Sequence, residues 1–500
     1  MSQKTVAIVG AGLAGLSAAC FAALNGFKVQ VFEHHTVPGG VAAAWKRKGF
    51  VFDGGVHFLM GAQSDSSLYP LYRTLGIIDG TKLLPLTHYG TYRDEETGRT
   101  IELTRDLDRF LDDVKRHSPE DAPLAAELVA GGKRFAKVDL MRGMVLGDGG
   151  GPVAKLRMLW DMRGVFRYMG GKYRTSLGEY GAHCKDPWIG HVVANIFFPP
   201  VPLWFGMMLL GQIAGGQLAH FGDGSAEFAR SIERRAKHLG AAFAYRSKVE
   251  RILVENGRAV GVRLYDGREV RADYVVSTAD GRETIFDLLQ GKYLDAQTAE
   301  RYETWPLIRP IVVCSYGVNA PYRDAPWLTI LRLRKPIQTG EWKAGEMTVR
   351  AFPYAPHFAP EGKASIVAAV ESEWSHWRKL REDPPAYEAE KARLSGEVLA
   401  RLGSVFPGVA GKVELRDVAT PYTWWRYTFN REGAYEGWFP TTDAIESKIE
   451  QTLPGLSNFF MAGQWVRPGG GIPPVLLSGR DAVIKLCRTE RQMFRTEPSA

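Results

Sequence analysis

Cysteine is scarce, with four in 500 residues, at positions 20, 184, 314 and 487. No two form a C-x-x-C pair, which excludes a zinc ribbon and a redox dithiol. So few thiols fit a reduced, cytoplasmic protein rather than a disulfide scaffold. Cys20 and Cys487 fall in apolar helical patterns, as small core residues do. The 11 histidines are dispersed. No metal-ligand cluster and no nucleophile–base pair emerges, so no metal is expected and no catalytic side chain is assigned. Acidic charge is in the minority, 55 residues against 63 basic ones, for a net charge of +8. That balance suits an anionic membrane surface, an acidic substrate or nucleic acid. No nucleic-acid-binding motif accompanies it, so nucleic acid is not expected as a partner. Charge is missing altogether from Trp188 to Gly222. By length this stretch could span a bilayer. Pro199, Pro200 and Pro202 break it, and His191, Asn195, Gln212 and Gln217 dilute it, so a span is not expected. Two fates remain open: a core helix pair, or an apolar tunnel or patch dipping into lipid. A leader-like start, Lys4 followed by apolar Val6 to Leu24, has no evident cleavage site and runs straight into a strand pattern.

What is present points to chemistry. With 45% hydrophobic and 24% charged residues, the chain has ample core for two or three domains at roughly 100–200 residues each. Thr5-Val-Ala-Ile-Val9 reads as a buried parallel strand. Gly10-Ala-Gly12-Leu13-Ala14-Gly15 follows at once, then a helical pattern to Leu24 ended by Asn25-Gly26. Lys28 to Phe32 is a second strand, closed by Glu33. This is G-x-G-x-x-G in its confirming context. Gly10 permits the tight turn, Gly12 lets the backbone approach a pyrophosphate, and Gly15 lets helix and strand pack closely. The helix N-terminus offers N–H groups and a positive dipole end. Glu33 can accept both ribose hydroxyls of an adenosine and would repel a 2′-phosphate, which disfavours NADP.

The next block is Pro38-Gly39-Gly40, then Gly49-Phe-Val-Phe-Asp53-Gly54-Gly55-Val56-His57. Here the sequence resembles the amine oxidase-type flavoproteins, in particular the FAD-dependent phytoene desaturase, carotenoid isomerase and retinol saturase group. The resemblance implies that Gly39 and Gly40 hug the cofactor and that Gly55, Val56 and His57 run beside the flavin. Many members carry Arg after the Gly-Gly, where this chain has Val41.

Two later segments return to the cofactor. His220 to Phe228 leads into a helix, Ala226 to Leu239. Lys248 to Val254, Asn256-Gly257, Ala259 to Tyr265, Asp266-Gly267 and Val270 spell a three-stranded meander, because Asn-Gly and Asp-Gly are strong hairpin signals. Tyr274 to Ser277 is another buried strand. By resemblance, Val249 pairs its backbone with the adenine, and Ala279-Asp280 matches the group's Asn-Ala-Asp ending. Asn458 to Gly463 reads as a strand, and Gln464 to Pro473 as a glycine-rich loop opening a helix, Val475 to Cys487. The resemblance makes this the final FAD motif, with Gly463, Gln464, Gly471 and Ile472 at the cofactor. The group often has an acid or Ala where Gln464 stands.

The expected fold is α/β: a Rossmann-type FAD-binding domain, parallel sheet plus β-meander, interrupted by an α+β substrate domain. Residues 1–60, 220–285 and 455–490 form the first, 61–219 and 286–454 the second. Lys155 to Arg174 holds six basic residues interleaved with aromatics. Read as a basic helix, it suits an anionic membrane surface, so 155–222 is a candidate membrane-contact region and the protein a candidate peripheral one on the inner face. Thr420-Pro-Tyr422 to Tyr435 resembles the stretch before the last FAD motif. The resemblance implies desaturation, saturation or isomerisation of C=C bonds in a long apolar isoprenoid, carotenoid-like or acyl-lipid substrate. The rivals are an amine oxidase-like flavoenzyme and a non-catalytic lipid- or prenyl-binding escort of the same fold.

Overall fold

The computed structural model describes residues 3–146 and 151–497, without the side chains at 152, 154 and 155, Lys155 among them. Five parallel strands form the first sheet, in the order Ala242–Ala244, Lys28–Phe32, Thr5–Val9, Tyr274–Ser277, Phe459–Met461. Parallel strands must be joined by crossovers and covered on both faces, which is why these strands read as near-continuous apolar runs. Helix Leu13–Leu24 is buried along almost its whole length. It packs against the last helix, Ile472–Thr489, at Gly479, where a Cβ would lie 2.3 Å from the Ala14 carbonyl. The Ser17 hydroxyl ties the two helices by donating to the Leu476 carbonyl at 2.6 Å. Chain ends more than 450 residues apart in sequence thus meet in one layer.

The meander Val249–Glu255, Arg258–Leu264, Glu269–Arg271 is antiparallel. Asn256 (φ 48°) and Gly257 (φ 70°) both take the left-handed conformation of its first two-residue turn, as a type I′ hairpin requires. A seven-stranded sheet draws on both intervening stretches of chain. Its order is Val413–Ala419, Ile311–Val318, Ala364–Glu371, Trp342–Ala351, Leu328–Thr339, His88–Asp94, Thr100–Thr104, antiparallel except where Leu328–Thr339 meets His88–Asp94.

The structure decides between two readings left open and corrects another. The uncharged stretch Trp188 to Gly222 is mostly core: Trp188, Val192, Leu203, Met207, Leu209, Leu210 and Ile213 are all fully buried. Its helices, Pro187–Ala194 and Leu203–Ala214, are too short to cross a membrane, and no helix among the described residues is long and apolar enough to do so. The stretch Lys155 to Arg174 is not one helix. The helix Pro152–Met162 stops before Gly164, and short 3-10 turns follow at Phe166–Tyr168 and Gly171–Arg174. Glycines at 164, 170 and 171 carry the conformational cost that ends it. The apolar surface is carried here instead. Val153, Leu156, Trp160 and Phe166 are exposed, Trp160 at 66%.

Candidate active site: a dinucleotide cradle opening into an apolar cavity

At the carboxyl ends of the parallel strands lies a cavity of about 1340 Å³, larger than the roughly 300–1,000 Å³ of ordinary ligand pockets. Its wall brings together Gly10, Gly12, Leu13, Ala14, Glu33, Gly39, Gly40, Val41, Gly55, Val56, His57, Val249, Ala279, Asp280, Gly463, Gln464, Gly471 and Ile472. Of the residues singled out in sequence, only Gly15 stands behind this wall. A Cβ there would sit 2.0 Å from the Gly10 carbonyl oxygen, so Gly15 is needed for the turn itself.

Local chemistry explains the cradle. Gly39 N–H donates to the Ala11 carbonyl at 2.9 Å and locks the second glycine pair against the first turn. Glu33 is buried. Its Oε2 accepts from Ala11 N–H and its Oε1 from His35 N–H, both at 2.7 Å, with His34 Nδ1 2.9 Å from Oε1. Burial opposes the charge, but these three donors outweigh it and hold the carboxyl below its usual range. The acid is therefore ionised at neutral pH, with lone pairs left on both oxygens for further donors. Asp53 is pinned by Ser225 N–H (2.7 Å), the Ser225 hydroxyl (2.6 Å) and Gly55 N–H (3.2 Å). Burial raises its carboxyl despite Arg350 beside it. Asp280 Oδ1 accepts from Glu283 N–H at 2.9 Å and Oδ2 from Arg431 N–H at 2.8 Å; burial lifts it to about 6. Gly463 N–H donates to Ser478 Oγ at 2.8 Å, fixing the start of the final loop on the last helix.

The cradle fits an adenine dinucleotide on two counts. At Gly12 (φ −67°, ψ 176°) any residue could adopt the backbone, and a Cβ would meet nothing within 4 Å. Nothing in the protein asks for glycine there; a ligand filling that space would. Gly471 differs in that its φ of +79° itself favours glycine, but its Cβ too would point into open space.

Beyond the cradle the wall turns apolar, with Phe197, Phe198, Phe205, Met208, Ile330 and Met347 among its residues. Phe197 packs against Phe198 and Phe205 with ring centroids 4.7 and 5.2 Å apart. His191 in this arm is held neutral. His191 Nε2 lies 3.3 Å from Glu346 Oε2 without hydrogen-bond geometry. Burial pushes His191 down to about 4 and Glu346 up to about 7. His57 lines the cavity with its side chain open to that space; desolvation there and the neighbouring Arg350 keep its imidazole well below the usual range.

Three wall residues escaped the sequence reading. Arg350, buried, donates to the Asp53 carbonyl at 2.5 Å. Glu346 and Glu436 bring carboxyls into the wall. An Arg within Met347-Thr-Val-Arg350-Ala, an otherwise apolar strand, was the available signal for the first.

A parallel sheet with this glycine turn and an acid at the end of the second strand defines a Rossmann-type dinucleotide-binding protein. The family model for flavin containing amine oxidoreductases matches residues 13–486, and the chain belongs to that family. It is an FAD-dependent oxidoreductase. It is 22% identical over 497 residues to a chloroplastic prolycopene isomerase of Daucus carota, covering 94% of this chain and 78% of that protein. It is 25% identical over 505 residues to a neurosporene-forming phytoene desaturase of Cereibacter sphaeroides, covering 94% and 92%. Among solved structures, an oxidoreductase from Methanosarcina mazei superposes with a TM-score of 0.64 at 18% identity, covering 96% of this chain and all of that one. Cyclohexylamine oxidase from Brevibacterium oxydans gives 0.61 at 16%, covering 98% and 100%. At those identities the structures speak for the fold.

Proposed function

We propose that this enzyme desaturates, saturates or isomerises C=C bonds of a long apolar substrate of the carotenoid or isoprenoid class. The observation that carries the reading is the single cavity in which the dinucleotide cradle continues into an arm walled by Phe197, Phe198, Phe205 and Met208. Names of relatives, prolycopene isomerase and phytoene desaturase, agree with it. FAD, when bound, supplies hydride acceptance and donation. The chain's own contribution is orientation and exclusion of water: an extended polyene would lie along the aromatic wall, with His57 and His191 held in the neutral form beside it. In this reading Gly10, Gly12 and Glu33 hold the adenosine half. Gly39, Gly40, Val41 and Val249 line it, Gly55 to His57 and Ala279-Asp280 flank the flavin half, and Gly463, Gln464, Gly471 and Ile472 close it. Residues 1–60, 220–285 and 455–490 are proposed as the cofactor domain. Incubation of flavin-loaded protein with phytoene-class and poly-cis polyenes, alongside alkylamines, tests it by product analysis. Turnover of amines alone would favour the oxidase rival, and tight lipid binding without turnover the escort.

Membrane contact belongs to the same proposal. Met141, Met158 and Met162 line the cavity, and the neighbouring Leu156, Trp160 and Phe166 are exposed. Arg157, Arg163 and Arg167 are exposed beside them, with no carboxylate partner among the described residues. A greasy, cationic rim at the entrance suits substrate transfer from an anionic bilayer. Each basic residue there is worth about 1 kcal/mol, weakened by salt. Vesicle co-sedimentation should therefore depend on anionic lipid and salt. Replacing Arg157, Arg163 and Arg167 by Gln should remove the salt-sensitive part, and protein that stays in the supernatant with every lipid would refute the contact.

A further inference from the structure

Glu436 sits against the middle of the final glycine loop. A Cβ on Gly470 would lie 3.0 Å from Glu436 Cβ and 3.1 Å from its carbonyl oxygen. The next residue, Gly437, is pressed on Gln464 in the same way, with 3.3 Å from a Cβ there to Gln464 Cγ. The Glu436 side chain lines the cavity. Its Oε2 is sealed from solvent and has no hydrogen-bond partner among the described residues.

The other cavity carboxyls differ. Glu33 and Asp280 have backbone donors on both oxygens. Glu371 faces Arg309 Nε at 3.6 Å, Glu346 faces His191, and Glu283 faces Lys248 Nζ at 3.9 Å. A sealed carboxyl oxygen with no donor is an exception in folded proteins, and one beside a cofactor loop asks for a chemical role.

We propose that Glu436 carries the proton in the C–H chemistry of this site. The proposal rests on the polyene reading above. In the desaturating direction, one C–H bond of the substrate breaks and its hydrogen passes as hydride to the oxidised flavin. The C–H bond on the adjacent carbon breaks heterolytically. Its electron pair becomes the new π bond and its proton goes to the Glu436 carboxylate. The substrate loses two electrons and the flavin gains them. Saturation is the same exchange reversed, with Glu436 as acid.

The electrostatics suit the task. Burial alone lifts the Glu436 carboxyl to about 7, so both protonation states are populated at neutral pH, where an acid–base catalyst works best. Ionisable groups in the same wall include Tyr435 on its own segment, Glu346 and Glu371 on the seven-stranded sheet, Glu283 and Lys248 facing each other, and Arg467 on the loop after Gly463. The Tyr435 phenol is pushed well above its ordinary value by burial and then by Glu436, Glu371 and Glu346, so it stays neutral. Arg467 is paired with Asp481 at 2.7 Å.

The test reads the flavin first and turnover second. Absorbance of the substrate-free holoenzyme is recorded across neutral pH for wild type, Glu436→Gln and Glu436→Asp. A one-proton transition near pH 7 is expected in wild type, shifted in Glu436→Asp and absent in Glu436→Gln. The same transition in Glu436→Gln, or none in wild type, overturns the proposal. Because this arm needs no substrate, its outcome stands even if polyenes prove not to be turned over, which would sink the polyene reading alone. On a polyene that is turned over, Glu436→Gln should lose activity 100-fold or more, on the order of a general acid–base contribution. Full activity in that variant also overturns it. Should Glu436→Gln not hold flavin, the shifted transition in Glu436→Asp decides.

Discussion

Gly12→Ala separates what the protein needs from what the cofactor needs. The backbone at Gly12 lies at φ −67°, ψ 176°, and the added methyl would meet no protein atom within 4 Å. Two small terms act on the apoprotein. Alanine lowers the entropy of the unfolded chain, worth about 0.4–1 kcal/mol. It is also a poorer N-cap than glycine for helix Leu13–Leu24, at a similar cost of up to about 1 kcal/mol. The apoprotein's stability should therefore stay within about 1 kcal/mol of wild type. The methyl would, however, occupy the space proposed for the pyrophosphate. Overpacking of that kind costs about 1–3 kcal/mol, which weakens FAD binding roughly 5- to 150-fold. Gly15→Ala is the control, because its methyl would lie 2.0 Å from the Gly10 carbonyl oxygen. That variant should lose about 3 kcal/mol or more before any ligand is added. Denaturant melts of both apoproteins and titration of each with FAD give the two quantities. Wild-type FAD affinity in Gly12→Ala, or apoprotein damage equal to that of Gly15→Ala, would refute the reasoning.

Three further outcomes are expected. Gly471→Val should leave a folded protein that does not retain flavin, since its Cβ meets no protein atom while the left-handed backbone costs about 1–2 kcal/mol; a variant that keeps flavin and turnover would make the loop a mere turn. Glu33→Arg should abolish FAD retention, because a cation replaces an ionised carboxylate that three donors organise; cofactor released on denaturation is the measure, and NADP in wild type would overturn the assignment. Apoprotein stability should fall as pH rises from about 4.5 to about 7, since Glu436 is raised from 4.5 to about 7 in the fold and the native state binds the proton more tightly. The whole span is of the order of 3 kcal/mol. Glu436→Gln should reduce that slope in pH-dependent melts while Glu283 and Glu346, also raised to about 7, keep their share, and an unchanged slope would contradict it.

Much of the site was legible because its chemistry is local. Gly10 to Gly15, Glu33 and the meander's Asn256-Gly257 are read from turn and dinucleotide rules that span a few residues. Arg350 and Glu436 were not legible. Arg350 gains its place from a bond to Asp53, 297 residues away, and Glu436 from contact with Gly470, which a helix and a strand separate from it in sequence. Hydrophobicity alone did not separate core from membrane surface either: Trp188 to Gly222 is buried because the helices of residues 107–135 cover it, as Gly131 and Gly132 show by pressing on Met207 and Leu210. The apolar surface fell instead on Leu156, Trp160 and Phe166. Glycines at 164, 170 and 171 also cut short the helix that the basic spacing suggested.

Action on the carbon–carbon bonds of a long apolar substrate is what we propose for this flavoenzyme. The most direct measurement is chromatographic analysis of a carotenoid-class polyene after incubation with the FAD-loaded protein, in oxidised and in reduced form, and with the apoprotein. The number or geometry of the conjugated double bonds should change with FAD-loaded protein only, and alkylamines should not reduce the flavin. Unchanged polyenes together with rapid flavin bleaching by an amine would contradict the proposal.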